Sequence, residues 1–168
     1  FLLGKPNIAL EDTGNKEQVN IYKPFTKAII TSTSFLGNYG KKQIFYDGFH
    51  ELAYLHPNYF IPDPAIRTHL GISHKDRYFI LRFVSCSASH DITNKGLTWE
   101  QKREILSLLS EYGKVFISSE EALPDDLNEF KFPLSPCRMH HALAGADLFV
   151  GEGATMASES AILGTPSV

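Results

Sequence analysis

Short apolar runs closed by turn residues, and separated by longer amphipathic stretches, recur along all 168 residues. No other feature constrains the fold as strongly. Alternating strands and helices are most simply built as a mostly parallel sheet covered by helices, the α/β class. The apolar runs predict strands near residues 7–10, 27–31, 43–46, 78–84, 114–118 and 148–150. The intervening stretches predict helices near 17–22, 64–70, 99–111, 139–144 and 155–163. In the third of these, Ile105, Leu108 and Leu109 recur at helical spacing. Internal repeats and low-complexity tracts are absent.

The pattern loosens between 47 and 73, where His50, Tyr54, His56, Pro57, Tyr59, Phe60, Pro62 and Pro64 crowd together. This stretch reads either as a crossing between two domains or as an ordered surface loop packed on its own aromatics. The twelve phenylalanines and seven tyrosines read as core. Phe1–Gly4 reads as the tail of a helix closed by glycine, and Thr165–Val168 as the opening of a strand, so both ends look cut.

Bulk chemistry removes several function classes. A formal net charge of −3, with lysines spread along the chain and only Lys41 and Lys42 adjacent, gives no basic surface for a nucleic-acid backbone. No apolar run approaches the roughly 18 residues of a spanning helix, and no leader-like segment opens the chain; the expectation is a cytoplasmic protein. Cys86 and Cys137 lie far apart and outside any CxxC pair, so neither a zinc site nor a disulfide framework is expected. His140 and His141 are adjacent, a poor spacing for a shared metal face, and at most one of them is expected to face a site.

The segment Phe149-Val150-Gly151-Glu152-Gly153-Ala154-Thr155-Met156-Ala157-Ser158-Glu159 runs from an apolar strand through two glycines into a helix. Such a turn exposes backbone N–H groups at the positive end of a helix, an environment suited to a diphosphate. Thr155 and Glu159, four apart, share a helix face, with the hydroxyl near the anion and the carboxylate one turn deeper, where it could accept from a ribose diol. The plain alternative is a tight turn with a solvent-facing glutamate. A second constellation follows the strand at 78–84. Arg82 closes the apolar run, and Ser85-Cys86-Ser87-Ala88-Ser89-His90-Asp91 opens a loop suited to touching phosphate. His90 could donate to phosphate or move a proton, or the His90-Asp91 pair could be a surface cap. Glu11 and Asp12, at the end of the first strand, could supply a general base facing that cluster across a cleft; helix capping by Asp12 or Thr13 is the simpler account.

Taken together, Tyr46-Asp47-Gly48-Phe49-His50-Glu51-Leu52-Ala53-Tyr54-Leu55-His56-Pro57, Leu81-Arg82-Phe83-Val84 with Ala88-Ser89-His90-Asp91, Ile117-Ser118-Ser119-Glu120, and Gly153-Ala154-Thr155-Met156-Ala157-Ser158-Glu159 resemble a prokaryotic family of unknown function described as predicted glycosyltransferases. That family is similar to the two-lobed, Rossmann-type GT-B enzymes, among them the peptidoglycan N-acetylglucosaminyltransferase and the UDP-N-acetylglucosamine 2-epimerases. The resemblance implies an incomplete GT-B-like chain. Residues 1–46 would end the acceptor lobe, 47–76 would cross between lobes, and 77–168 would form most of the donor lobe. It implies a UDP-sugar donor as substrate, with no cofactor or metal, and an acceptor of unknown identity. Self-association is left open, and the chain alone is not expected to turn over. The resemblance places Gly153 and Thr155 on the diphosphate and Glu159 on the ribose; Ala154 in the same turn, with Arg82, Ser89, His90 and His140, completes the expected nucleotide-sugar contacts. Asp12 or Glu11 would deprotonate the acceptor. In the epimerase comparison Glu11, Glu17 with Asn20, and His90 occupy the comparable places. Asp91 after the histidine, and the lack of the arginine-rich string, depart from that pattern.

Overall fold

The computed structural model describes residues 3–84 and 96–168, which form an α/β structure with two small parallel sheets. The chain divides into two compact units, Phe1–Tyr54 and Leu55–Val168.

The first unit holds three parallel strands in the order β1-β2-β3: β1 (Ile8–Leu10), β2 (Ala28–Ser32) and β3 (Gln43–Tyr46). Residues Ile8 to Leu10 pair with Ala28 to Ile30, and Ile29 to Ser32 with Gln43 to Tyr46. Between β1 and β2 lies the helix α1 (Lys16–Tyr22). Its N-cap is Asn15, whose side chain accepts from the Glu17 and Gln18 amides, so neither Asp12 nor Thr13 caps it. Thr13 acts one step earlier, its hydroxyl accepting from the Asn15 amide at 3.2 Å. The core of this unit is small: Val19, Ile29 and Tyr39 are buried, with Ala9, Tyr22 and Phe35 packed against them. Ile8, Leu10, Ile44 and Phe45 are exposed. Polar bonds supply what apolar contact does not. Gln43 accepts from the Tyr39 amide at 2.7 Å and donates to Thr31 Oγ1 and the Gly37 carbonyl, pinning the connection into β3.

One helical turn, α2 (Leu52–Leu55), ends at the boundary, and a second, α3 (Ile66–His69), precedes the other sheet. That sheet has the order β5-β4-β6, all parallel: β4 (Tyr78–Phe83), β5 (Lys114–Ser119) and β6 (Leu148–Gly151). Residues Pro166 to Val168 run beside β6, with the Phe149 amide on the Pro166 carbonyl and the Gly151 amide on the Val168 carbonyl. As the central strand, β4 is covered on both faces, which is why it reads as an almost unbroken apolar run. Phe79, Leu81 and Phe83 pack with Val115, Ile117 and Leu106 on one face. Tyr78 and Ile80 pack on the other with Phe149, Met139, Ala142 and Leu143.

The helices follow this division. α4 (Trp99–Ser110) opens with a reciprocal cap between Thr98 and Gln101 and places Leu106 in the Phe79–Leu81 cluster. α5 (Met139–Leu143) and α6 (Ala154–Ile162) lie on the Tyr78–Phe149 face, the latter through Met156 and Ala157. The buried Tyr78 hydroxyl donates to the Ala142 carbonyl at 2.6 Å, and burial pushes its pKa up to about 12. The adjacent strands β4 and β6 therefore send their following helices to opposite faces of the sheet. Such a switch point opens a crevice at the carboxyl ends of the strands, where ligands of α/β sheets collect.

Candidate functional site

At the switch point, β6 ends in Gly151 and α6 begins at Ala154. The helix N-cap is Gly153, in extended conformation and with no side-chain cap, so among the described residues no side chain takes up the first helical amides there. Ala154 and Thr155 are exposed, while Glu159, one turn below on the same face, is buried. Glu159 is not the solvent-facing glutamate of the plain reading. Its Oε1 lies 3.2 Å from His140 Nε2, and the carboxylate keeps only 10% of its surface. His140 also meets the Phe60 ring edge-on, whereas His141 stacks on Phe60 and accepts from the Asp63 amide. The adjacent histidines thus point to different tasks, and only His140 joins the α6 carboxylate. His141 is held below the usual imidazole range by burial and then by the Arg138 charge.

The two glycines of the turn have different reasons. A Cβ on Gly151 would lie 2.5 Å from the Phe149 ring and 3.2 Å from Arg82 Cβ, so the glycine is required by packing of the buried Phe149. A Cβ on Gly153 would meet only Val84 Cγ1, at an ordinary 3.5 Å.

Glu152, between them, ties the crevice together. Its carboxylate accepts from the Val84 amide at 3.0 Å and the Leu97 amide at 2.6 Å, and pairs with Lys102 Nζ at 3.1 Å. Both side chains are nearly buried, and the Lys102 ammonium lies 4.8 Å from the ring centroids of both Phe83 and Trp99. One carboxylate therefore joins the end of β4, the entry to α4 and the end of β6. The sequence marks Glu152 only as a residue between glycines; its partners are 50 to 70 positions away and could not be read locally.

Arg82, level with Ser118 and Gly151 across the sheet, donates to Ser118 Oγ at 2.8 Å and pairs with Glu120 at 2.7 Å. Alternation along β4 puts it on the face of Tyr78 and Ile80, the face covered by α5 and α6. Ser89 and His90 lie outside the described residues, as do Cys86 and Asp91. Cys137 is a free, exposed thiol.

In the first unit, Glu11 is buried just beyond β1. Oε1 accepts from the Thr13 amide, the Thr13 hydroxyl and the Gly14 amide, and Oε2 accepts from the Tyr22 hydroxyl at 2.5 Å. Burial by itself would raise the carboxyl's pKa; the bonds from Tyr22, Thr13 and Gly14 outweigh it and hold it below its ordinary value. The same pair pushes the Tyr22 hydroxyl up, first by burial and then by its bond to Glu11. A carboxylate held by four donors is a weak proton acceptor. Asp12 is different: it is largely exposed, and its Oδ2 lies 3.2 Å from His50 Nδ1. Glu17 and Asn20, the other acid and amide of the epimerase comparison, are exposed on α1.

Among the described residues no group of three or more His, Cys, Asp or Glu side chains is placed to hold a metal ion, and no helix is long and apolar enough to cross a membrane. No protein-family model matches the chain, and no curated protein matches it in sequence. Among solved structures it is similar to Thermosulfurimonas dismutans KpsC, a beta Kdo 2,7 transferase, with a TM-score of 0.46 and 11% identity over 97% of this chain and 78% of that one. At that distance the likeness assigns nothing by itself.

Proposed function

We propose that this chain is a GT-B-type glycosyltransferase that uses a nucleotide-sugar, a UDP-sugar by the motif resemblance, with residues 77–168 as most of the donor lobe. The observation that carries the proposal is the β6–α6 turn: an uncapped helix start at a topological switch point, an exposed Thr155 in the first turn, and a buried carboxylate one turn below. In this reading the amides of Gly153, Ala154 and Thr155 receive the diphosphate, and Glu159, steadied by His140, accepts from the ribose diol. Arg82 stands at the carboxyl end of β4 beside the same crevice, and the proposal adds Ser89 and His90 from the sequence motif alone. The positive end of α6 offsets the charge that develops on the departing diphosphate, chemistry that needs no bound metal. The acceptor hydroxyl loses its proton to an acid at the end of β1. The donor network around Glu11 favours Asp12 over Glu11 for that task.

Calorimetry with UDP tests the donor site. Glu159→Ala removes a charged acceptor of two hydrogen bonds, a loss of about 1.5–3 kcal/mol, or roughly ten- to a hundredfold in Kd. Equal affinity in wild type and variant contradicts the assignment. With binding established, product analysis follows: transfer to an added acceptor supports a transferase, and an epimerised donor contradicts one.

A further inference from the structure

Two polar atoms of the first unit are shielded from solvent and have no hydrogen-bond partner among the described residues: His50 Nε2 and the Tyr46 hydroxyl. They belong to stacked rings, with centroids 5.7 Å apart and planes 7° from parallel. Tyr46 is the last residue of β3, and Asp12 follows β1 by two positions, so the parallel strands bring both to the carboxyl end of the sheet. Gly48 makes the return possible. Its φ of +153° disfavours any other residue, and a Cβ there would press on the Tyr46 ring at 3.4 Å.

The order of contacts around the imidazole determines its chemistry. Nδ1 faces the Asp12 carboxylate at 3.2 Å, so in the neutral ring Nδ1 carries the hydrogen and Nε2 holds the lone pair. A carboxylate on one nitrogen steadies that tautomer and stabilises the imidazolium that forms when the other nitrogen takes a proton. Tyr46 remains a neutral donor, because burial, then Glu51 and Asp12, push its pKa up. Buried polar atoms are nearly always paired, and exceptions concentrate where function needs the group. The His50 ring keeps 20% of its surface, so the cluster lies at the edge of the unit, within reach of side-chain motion.

We infer that the Asp12–His50–Tyr46 cluster is a binding site for a hydroxyl-bearing ligand such as a sugar, in which His50 Nε2 accepts a hydrogen bond from a ligand hydroxyl, Asp12 positions the ring and the Tyr46 hydroxyl donates to the ligand. The inference rests on the glycosyltransfer reading only for calling that ligand an acceptor, and it makes His50, rather than Asp12, the group that meets the hydroxyl.

The test uses the whole chain labelled with 15N at histidine, with glycerol and a panel of methyl glycosides as probes. In its neutral form His50 is expected to carry its hydrogen on Nδ1, and Asp12→Asn is expected to shift the ring toward the other tautomer. The probes are expected to move the Nε2 signal saturably, with a severalfold weaker response in Tyr46→Phe. Tyr46→Phe also separates ligand binding from a structural role: a hydroxyl with no partner among the described residues leaves the variant as stable as wild type or more so. A neutral ring with its hydrogen on Nε2, or an Nε2 signal that no probe moves, overturns the inference. UDP affinity measured on the same samples keeps the two readings apart. A responding His50 in a chain that ignores UDP retains this site and removes the nucleotide-sugar site, and the reverse pattern does the opposite.

Discussion

The two units are built from the same parallel strand–helix grammar but are held together differently. In Leu55–Val168 the central strand is sandwiched between two apolar clusters, and a nearly buried polar tie, Glu152 with Lys102 and two amides, joins three elements at the carboxyl end of the sheet. In Phe1–Tyr54 the buried apolar core is three residues, and a carboxylate network of Glu11, Thr13, Gly14 and Tyr22 sits where packing would otherwise be. Apolar burial is indifferent to pH, whereas a buried carboxylate is not. The larger apolar core makes the unit with the crevice less dependent on any one carboxylate than the unit with the Asp12–His50 pair, whose buried Glu11 is held below its ordinary pKa.

The largest effect is expected where apolar packing dominates. Phe149→Ala empties a fully buried position between β4 and α5 and should destabilise the second unit by about 3–5 kcal/mol. Denaturant unfolding followed through Trp99, the sole tryptophan, reads that unit alone. A loss below about 1 kcal/mol would mean that the cluster does not hold the unit.

Acid should break the first unit before the second. The folded pKa of Glu11 is lowered, so its stabilisation is complete above the ordinary carboxylate range and is lost as pH falls through the lower, folded value. Amide protection at Ile29 should therefore fall in acid while protection at Ile80 persists. Glu11→Gln should flatten that dependence at a cost of about 1–3 kcal/mol at neutral pH. Equal acid sensitivity in both units would erase the contrast.

A smaller effect sharpens the account of the turn. Gly151→Ala presses on Phe149 and should cost about 1–3 kcal/mol, whereas Gly153→Ala meets only an ordinary contact and should cost about 1 kcal/mol or less. Equal costs would mean that the Phe149 ring yields freely.

Most of the secondary structure was legible because both helix and strand periods are local. Gln43–Tyr46 forms a strand with the bounds the apolar run predicts, and Trp99–Ser110 ends one residue short of the predicted helix. The short turn at Leu52–Leu55 was not foreseen, since four residues carry no period to read. Within the candidate sites, the strand–turn–helix at 148–162 could be seen directly, but the reason for Gly151 could not. It lies in the side chain two residues back, whose ring is turned by the core. Likewise the cap at Asn15 displaced Asp12 and Thr13 because Glu11 takes the Thr13 amide and hydroxyl first. The roles of Glu152 and His50 are not local, because their partners, Lys102 and Asp12, become neighbours only once the strands are ordered in a sheet.

In the proposed donor site a nucleoside diphosphate sits on the amides at the start of α6. Titration of 15N-labelled chain with UDP, followed at the backbone amides, is the test. Saturable shifts are expected at Gly153, Ala154 and Thr155, lost in Glu159→Ala, with the amides of β1 and β2 unmoved. Shifts confined to other residues, or no shift at all, would contradict it.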